Sequence, residues 1–167
     1  QTEWPELNVF LTSVTDHYAT ASVCGPNAKR IISKIFKDLD LSDENFPHMS
    51  FKEVKLDNIN CRVMRISFTG ELSYEINVES SYGKYIWEKC IDAGKEFNIT
   101  PYGTETMHLL RAEKGFIIVG QDTDGTMTPV DLQMDWIISK KKYDFIGKRS
   151  LYRSDTIRED RKQLVGL

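Results

Sequence analysis

The 167-residue sequence predicts an α+β fold in which an antiparallel sheet carries helices packed on one face. Three observations support this prediction. Short segments alternate apolar and polar residues as strands do, two longer segments carry apolar residues at helical spacing, and the two kinds of segment are interspersed along the chain. Their order of strand, helix, strand, strand, helix is typical of a ferredoxin-like sheet.

The composition is that of an ordinary globular domain, with 40% hydrophobic and 28% charged residues. No apolar run approaches the roughly 20 residues of a membrane span. The three cysteines lie far apart in the sequence, which favours small buried side chains in a reducing compartment over a disulfide or a zinc site. The sequence therefore predicts a cytoplasmic protein that can bury an apolar core without metals or disulfides.

Five segments are predicted to form strands because apolar and polar residues alternate there. They are residues 7–15, 18–23, 51–56, 61–67 and 74–78. Asp57 and Asn58 predict a turn between the third and fourth strands, and Thr69, Gly70 and Glu71 predict one between the last two. The last two strands are therefore expected to form a hairpin.

Two amphipathic helices are predicted to pack on this sheet, the first after Gly25 and Pro26 and the second after a cap at Ser80 and Ser81. Their inward-facing residues are Ala28, Ile31, Ile32, Ile35 and Phe36 in the first helix and Ile86, Cys90, Ala93, Gly94 and Phe97 in the second. Charged residues occupy the opposite faces, as expected for helices that lie between a sheet and water.

Further elements are predicted after the second amphipathic helix. A short helix is expected to begin with Thr104 as its cap and to end at Gly115, which can adopt the left-handed conformation of a C-cap. Residues 116–119 are an apolar run that suits a buried strand. Residues 128–138 are expected to form a helix, and residues 144–152 a short capped helix.

Most signals for metal or nucleotide chemistry fail on spacing. Asp122 and Asp124 suggest a calcium loop, but a glycine falls at the fourth loop position and Gln133 replaces the bidentate glutamate. No glycine-rich dinucleotide or phosphate loop is present. The three histidines are scattered, and a structural role for His108 is favoured over a catalytic one. We therefore predict no metal site.

Residues 68–75 contain the one constellation that indicates ligand chemistry. If the turn does not intervene, Glu71, Ser73 and Glu75 share one face of a strand, beside Phe68 and Tyr74. A carboxylate next to an aromatic ring suits a flat heterocycle that presents an N–H and an adjacent NH₂ group, as pterins and guanine-like rings do. From these residues alone, an ordinary solvent-exposed hairpin is the simpler interpretation.

The charge distribution is uneven, since residues 135–167 carry nine Lys or Arg against five Asp or Glu while the whole chain has a net charge of −3. A basic end can attract an anionic ligand, a nucleic acid or an acidic subunit. A solvated helix face is the simpler interpretation. Aromatic residues do not interleave the basic ones as nucleic-acid binding would require, so we predict neither a nucleic acid nor a membrane as partner.

Three stretches resemble the tetrahydrofolate-binding aminomethyltransferase family, which includes the glycine-cleavage T-protein. They are SFTGELSYE at 67–75, GTETMHLLRAEKGFIIVGQDTDGTMTP at 103–129 and DWIISKKKYDFIGKRS at 135–150. The long second stretch, with GKRS and RKQLVGL, more closely resembles the C-terminal half of the alpha subunits of heterotetrameric sarcosine oxidases. The resemblance covers essentially the whole chain.

The resemblance implies a folate-binding set within this chain. Glu75 would bind the edge of the pterin and Phe68 would stack near its ring, with Glu71, Tyr74 and Arg111 as further members. The T-protein carries tyrosine where this chain has Phe68, and arginine where it has Met107, so those two polar contacts would be missing. No catalytic residue is expected here, because the T-protein's catalytic aspartate would lie before residue 1.

The resemblance also implies an enzyme reaction. Sarcosine would be oxidised to an imine, and its one-carbon unit would pass to tetrahydrofolate as 5,10-methylene-tetrahydrofolate, giving glycine and hydrogen peroxide. FAD, FMN and NAD would bind outside this chain, and the partners would be a reduced folate and the beta, gamma and delta subunits. The alternatives are a stand-alone aminomethyltransferase and a non-catalytic domain that forms a subunit interface.

The domain organisation follows from the same resemblance. Residues 1–162 are expected to be a partial folate-binding domain, and residues 163–167 to begin a barrel that follows it in the family. The chain starts at Gln1 without an initiator methionine and finishes in the apolar run QLVGL, so it is expected to be part of a longer polypeptide.

Overall fold

The computed structural model describes residues 2–166 and divides the chain into two compact units. The first ends at Lys114 and the second begins at Gly115. Gln1 and Leu167 lie outside the described residues, so the predictions of a folate domain over 1–162 and of a barrel that starts within 163–167 extend beyond them. Both domain assignments remain predictions.

The first unit contains a four-stranded antiparallel sheet. Its strands are β1 (Tyr18–Cys24), β2 (Ser50–Leu56), β3 (Ile59–Arg65) and β4 (Ser73–Glu79), in the spatial order β1-β4-β3-β2. A two-residue turn joins β2 to β3, with Asp57 at φ +47° and Asn58 at φ +67°. Asp and Asn tolerate this left-handed conformation, which explains why the turn was predictable from their identities.

Three α-helices belong to the same unit. They are α1 (Ala28–Ile35), α2 (Gly83–Gly94) and α3 (Thr104–Glu113). Short 3₁₀ helices cover Thr15–His17, Ser80–Tyr82 and Lys95–Phe97. The combination of an antiparallel sheet with helices confirms the predicted α+β class. The predicted start of α3 differs by one residue, since Gly103 is the N-cap and Thr104 is already helical.

The apolar core lies between one face of the sheet and the helices α1 and α2. It is formed by side chains that alternate along the strands together with the inward faces of the two helices. Its most buried members include Ile32, Phe46, Val63, Tyr74, Ile76 and Ile86. Each fully buried aliphatic side chain contributes on the order of 1.5–3 kcal/mol to folding. The period-2 and period-3.6 patterns in the sequence therefore identified the core residues of the strands and helices, whereas Phe46 lies outside every predicted element.

The opposite side of the sheet is polar. Along β4 the core residues Tyr74, Ile76 and Val78 alternate with Ser73, Glu75 and Asn77, which project from the other side. We call this second side the polar face. Its members on β1 and β3 pair with the outward residues of β4 or lie two positions along the same strand, and its members on β2 pair with those of β3. They are Tyr18, Thr20, Ser22, Cys24, Phe51, Glu53, Lys55, Asn60, Arg62 and Met64.

The predicted strand at residues 7–15 is wrong. Residues 2–14 form neither strand nor helix, and several of their apolar side chains are exposed, with Phe10 at 83% and Leu11 at 78%. β1 already pairs with β4 on one side, and no strand of the described chain pairs with the segment before it. Weak alternation does not form a strand without a partner to satisfy its backbone.

The second unit, described over residues 115–166, contains no strand or α-helix within those residues. The predicted strand at 116–119 and helix at 128–138 are wrong. Residues 116–118 have no regular secondary structure, residues 129–133 form turns, and a 3₁₀ helix covers only Asp135–Ile137. The predicted short helix at 144–152 is a 3₁₀ helix at Lys148–Tyr152. Gly115 does adopt the predicted left-handed conformation, at φ +72°.

A buried ion pair organises this second unit. Asp131 is 2% exposed, and both of its carboxylate oxygens accept hydrogen bonds from Arg161, at 2.7 and 2.6 Å. Arg161 also donates to the carbonyl oxygens of Thr126 and Asp155. The pairing with Arg161 holds the pKa of Asp131 far below its usual range. One guanidinium therefore connects three loops.

Candidate functional site

Glu75 lies at the centre of the polar face. It is the third residue of β4, where its cross-strand neighbours are Ser22 on β1 and Met64 on β3. Because β4 is an interior strand of the sheet, Glu75 is flanked on both sides. Its side chain is half-buried. The sheet therefore fixes the position of the Glu75 backbone.

The Glu75 carboxylate is partly desolvated without compensation. Burial raises its pKa, and no hydrogen bond or opposite charge among the described residues offsets that burial. A carboxylate has about four lone-pair positions that accept hydrogen bonds. Glu75 is therefore an acceptor that has lost part of its water shell and has capacity to receive donors from a ligand.

Tyr102 and three small polar residues surround this position. The Tyr102 hydroxyl lies 3.1 Å from the Cys24 sulfur, and the hydroxyl oxygens of Ser22 and Ser73 are 3.4 Å apart. Burial raises the pKa of Tyr102, and the hydrogen bond with Cys24 and the charge of Glu75 add to this effect. Nothing local in the sequence indicates that Tyr102 packs against β1.

The hairpin loop, residues 66–72 between β3 and β4, carries the predicted aromatic residue. Phe68 is 42% exposed, and its ring lies 6.4 Å from the ring of His108 on α3 at a tilt of 47°. The hydroxyl groups of Ser67 and Thr69 on either side are buried and have no hydrogen-bond partner in the described chain. The loop thus presents an accessible ring flanked by two unsatisfied hydroxyls.

Glu71 attaches the hairpin loop to the end of α3. Its carboxylate lies 2.9 Å from the ammonium group of Lys114. Gly70 permits this approach, since it has φ +78° and a Cβ added there would lie 2.7 Å from both Cβ and Cγ of Lys114. Glu71 precedes the first residue of β4, so it does not continue the row of Ser73 and Glu75 along the strand.

Tyr74 belongs to the core and not to the polar face. Its side chain is fully buried, and its ring packs against Phe46 with centroids 5.9 Å apart. Burial raises the pKa of its hydroxyl. Since Tyr74 and Glu75 are consecutive strand residues, their side chains point to opposite sides of the sheet. The predicted ligand contact by the Tyr74 side chain is therefore corrected, and the residue is assigned to packing.

Arg111 is buried on α3, with 8% of its surface exposed. Met107, one helical turn earlier, is half-buried. In the first unit the structure thus forms two groups of candidate residues. Glu75, Ser22, Ser73, Cys24 and Tyr102 form the first group, and Phe68, Glu71, His108, Lys114 and Arg111 belong to the hairpin loop and α3.

The described residues hold no cluster of three or more His, Cys, Asp or Glu side chains that could bind a metal ion. All three cysteines are free thiols, with Cys61 and Cys90 buried. In residues 2–166, no helix has both the length and the apolar character needed to cross a membrane. The polar face offers the half-buried carboxylate of Glu75, hydroxyls and amides for hydrogen bonding, and the charged groups of Glu53, Lys55 and Arg62.

Comparison with known proteins extends these observations. The family model described as the GCVT N-terminal domain matches residues 1–142. Sarcosine oxidase subunit alpha of Corynebacterium sp. (strain P-1) is 59% identical over 168 residues, which cover 100% of this chain and 17% of that protein. An aminomethyltransferase of Thermoanaerobacter sp. (strain X514) is 33% identical over 146 residues, covering 87% of this chain and 39% of that protein.

A third relative is named as a different enzyme. The mitochondrial dimethylglycine dehydrogenase of Rattus norvegicus is 32% identical over 145 residues, which cover 86% of this chain and 17% of that protein. The chain therefore spans about one sixth of the length of the sarcosine oxidase and dimethylglycine dehydrogenase relatives.

Proposed function

Because the chain belongs to the GCVT N-terminal domain family, we propose that it forms part of the tetrahydrofolate site of a sarcosine oxidase. The observation that carries the proposal is Glu75, a half-buried carboxylate on the polar face whose desolvation no group in the described chain offsets. The identity of 59% to a sarcosine oxidase alpha subunit, against 33% to an aminomethyltransferase, favours the oxidase over the stand-alone transferase.

The proposed overall reaction is the oxidative demethylation of sarcosine. A two-electron oxidation at a flavin converts the N-methyl amine to a methylene iminium, and dioxygen takes up the electrons to give hydrogen peroxide. Transfer of the methylene carbon from the iminium nitrogen to tetrahydrofolate releases glycine and forms 5,10-methylene-tetrahydrofolate. The oxidation is assigned to FAD and FMN outside this chain, where NAD would also bind, and the partners are the beta, gamma and delta subunits.

The role proposed for this chain is binding and orientation. Tetrahydrofolate, when bound, supplies the two amine nitrogens that receive the one-carbon unit. The two oxygens of Glu75 accept hydrogen bonds from the adjacent N–H and NH₂ groups of the pterin edge, and Phe68 offers a ring face for stacking. Glu71 holds the hairpin loop through Lys114, and Arg111 supports α3 from a buried position.

Because the role proposed for this chain is positioning, no catalytic residue is proposed within it. Bringing two reactants into a fixed geometry can lower a barrier by about 7–11 kcal/mol without proton transfer by the protein. In this proposal the sheet β1–β4 with its helices is the ferredoxin-like part of the folate domain, and the enzyme acts in the cytoplasm. A non-catalytic interface domain is the competing proposal, and folate binding separates the two.

Calorimetric titration with a stable reduced folate tests the proposed function. We expect saturable heat with the unmodified protein and measurably weaker binding by Glu75→Gln, which has nearly the same shape but loses the charge and one acceptor. Leaving the buried donors of the ligand without an acceptor costs about 1–3 kcal/mol. Binding should therefore weaken by about 5-fold to 150-fold.

Glu79→Gln is the matched control, since Glu79 lies on the same strand and side but is exposed at the strand end. This variant should bind like the unmodified protein. Equal binding by the Glu75→Gln and Glu79→Gln proteins would remove Glu75 from the site, and no binding by the unmodified protein would favour the interface domain.

A further inference from the structure

Tyr102 brings the loop before α3 onto the polar face. It lies between the 3₁₀ helix Lys95–Phe97 and the first residue of α3, Thr104, and its side chain is half-buried. Its hydroxyl group lies 3.1 Å from the sulfur of Cys24, the last residue of β1. The loop therefore contacts β1 through this side chain. Neither the family comparison nor the predicted folate set assigns a role to Tyr102.

The strand register places the Tyr102 hydroxyl next to Glu75. On β1, Cys24 pairs with Ser73 of β4, and Ser22 pairs with Glu75. Directly opposite residues have Cβ atoms about 4.5–5.5 Å apart. The Tyr102 hydroxyl makes hydrogen bonds with Cys24 and with Ser22, so it lies over the β1 side of these two cross-strand pairs. The charge of Glu75 adds to the raised pKa of Tyr102, which is consistent with this proximity.

The polar groups around Glu75 bond to one another and leave the carboxylate free. Tyr102 bonds to residues of β1, and the hydroxyl oxygens of Ser22 and Ser73 are 3.4 Å apart. Within the described chain, no hydrogen bond ends on the carboxylate of Glu75. Because β1 is the edge strand of the sheet, water would reach Glu75 from this side if the tyrosine ring were absent.

We propose that Tyr102 is a positioning residue that acts through Glu75: its ring covers the β1 side of the carboxylate, excludes water there and leaves the acceptor positions to a ligand. The inference rests on the proposed function, which supplies the N–H and NH₂ groups that Glu75 receives. Hydrogen bonds from a ligand contribute more where they replace fewer hydrogen bonds to water. Phenylalanine would cover the same surface, whereas a small side chain would not.

The pKa of Glu75 in the free protein is the first measurement. Carboxyl-carbon NMR with isotope-labelled glutamate follows its titration, and Glu75→Gln identifies its signal. We expect the raised pKa of Glu75 to fall towards that of an ordinary glutamate in Tyr102→Ser and to stay raised in Tyr102→Phe. The nearest titratable or charged groups on the neighbouring strands, Cys24 on β1 and Arg62 on β3, are the same in every variant.

Titration with a stable reduced folate is the second measurement. Tyr102→Ser should weaken binding by about threefold to tenfold, the range of one ordinary hydrogen bond, and Tyr102→Phe by less than about twofold. In the Glu75→Gln background, Tyr102→Ser should have almost no further effect, because its contribution passes through the carboxylate. A residue that only supported the fold would weaken binding equally in both backgrounds.

Tyr18→Ser is the matched control. Tyr18 is a tyrosine of β1 on the same polar face, but it pairs with Glu79, four positions along the strand from Glu75. This variant should change neither the pKa of Glu75 nor the affinity for the folate. Tyr102→Leu replaces Tyr102→Ser if the latter does not fold. Its shorter side chain leaves part of Glu75 uncovered and should lower the pKa of Glu75 relative to Tyr102→Phe.

The outcomes separate this inference from the proposed function. An unchanged pKa of Glu75 in Tyr102→Ser, or a lowered pKa with unchanged folate affinity, would overturn the positioning role even if Glu75→Gln weakened binding. An equal loss of affinity in Tyr102→Phe and Tyr102→Ser would assign the effect to the hydroxyl and also overturn it. If the unmodified protein binds no folate, the proposed function fails, and the pKa of Glu75 in the two variants decides whether Tyr102 covers the carboxylate.

Discussion

Glu75 is held in a position that disfavours its charged form. Its carboxylate is held half-buried on an interior strand, and burial raises its pKa. The folded state therefore binds the proton of Glu75 more tightly than the unfolded state does. A residue whose desolvation lowers stability is a reasonable candidate for function, because packing alone would favour an apolar or neutral side chain there.

This property predicts a pH-dependent difference between the unmodified protein and Glu75→Gln. Because the folded-state pKa is raised, the contribution of Glu75 to stability is fully present below its unfolded pKa and is lost as the pH rises through the folded pKa. Glu75→Gln should therefore unfold at a higher denaturant concentration than the unmodified protein at pH 7, with the difference smaller at pH 4. Urea unfolding at both pH values measures this.

Glu79→Gln again serves as the control, since Glu79 lies at the exposed end of the same strand. A glutamine variant of Glu75 that is less stable than the unmodified protein at neutral pH would contradict the expected sign. It would indicate that the carboxylate has a stabilising partner in the folded protein.

Individual site residues differed in how far the sequence could predict them. Strand alternation correctly placed Ser73 and Glu75 on one side, but the same rule assigns Tyr74 to the core, where it lies. Glu71 precedes the strand, so the period of two does not reach it. Tyr102 lies 78 positions from Cys24 along the chain, and no local pattern encodes a contact at such a distance.

At the scale of elements, the hairpin loop depends on a close approach to α3. Gly70 has a positive φ and lies where any side chain would meet Cβ and Cγ of Lys114. The loop also carries Phe68 and joins α3 through the Glu71–Lys114 pair. The position of the hairpin loop therefore depends on the absence of a side chain at Gly70.

Gly70→Ala should displace this loop and destabilise the protein. Strained backbone costs on the order of 1–3 kcal/mol, and the steric overlap adds to that cost. Gly115→Ala is the control, because Gly115 has a similar φ of +72° but open space around its Cβ position. Urea unfolding of both variants should show the larger loss for Gly70→Ala. Equal losses would show that the contact with Lys114 is not restrictive.

Elements whose apolar period matches a packing partner were predicted well. The residues of α1 repeat at helical spacing and all four of its inward side chains are buried against the sheet. Residues 128–138 also contain apolar side chains, but Trp136 is 73% exposed and Asp131 is the buried residue. The Asp131–Arg161 ion pair satisfies hydrogen-bonding groups of the backbone and of side chains through a specific geometry. That geometry leaves no periodic signal in the sequence.

At the scale of the whole molecule, the two units have different interiors. All the buried hydrophobic residues of the described chain precede residue 115, whereas the buried residue of the second unit is Asp131. Apolar burial is the main source of folding free energy. The first unit is therefore expected to be the more stable one.

Hydrogen exchange measures this difference. Amides in β1, β4 and α1 should exchange more slowly than those in residues 115–166 by several orders of magnitude, because local opening needs less free energy where few apolar contacts are lost. Asp131→Asn should accelerate exchange in residues 126–161 by about tenfold or more and leave the strands unchanged, since it breaks the bidentate pair with Arg161. Uniform protection across both units would contradict this description.

The alternation along β4 links the candidate site to the folding of the chain. A slip of β4 by one residue would turn Tyr74, Ile76 and Val78 away from the core and bury Glu75 and Asn77 in their place. Such a molecule would lose its interior, and cellular quality control would degrade it. Every molecule that survives this selection therefore carries Glu75 on the polar face. Quality control of folding therefore also selects for the correct orientation of the candidate site.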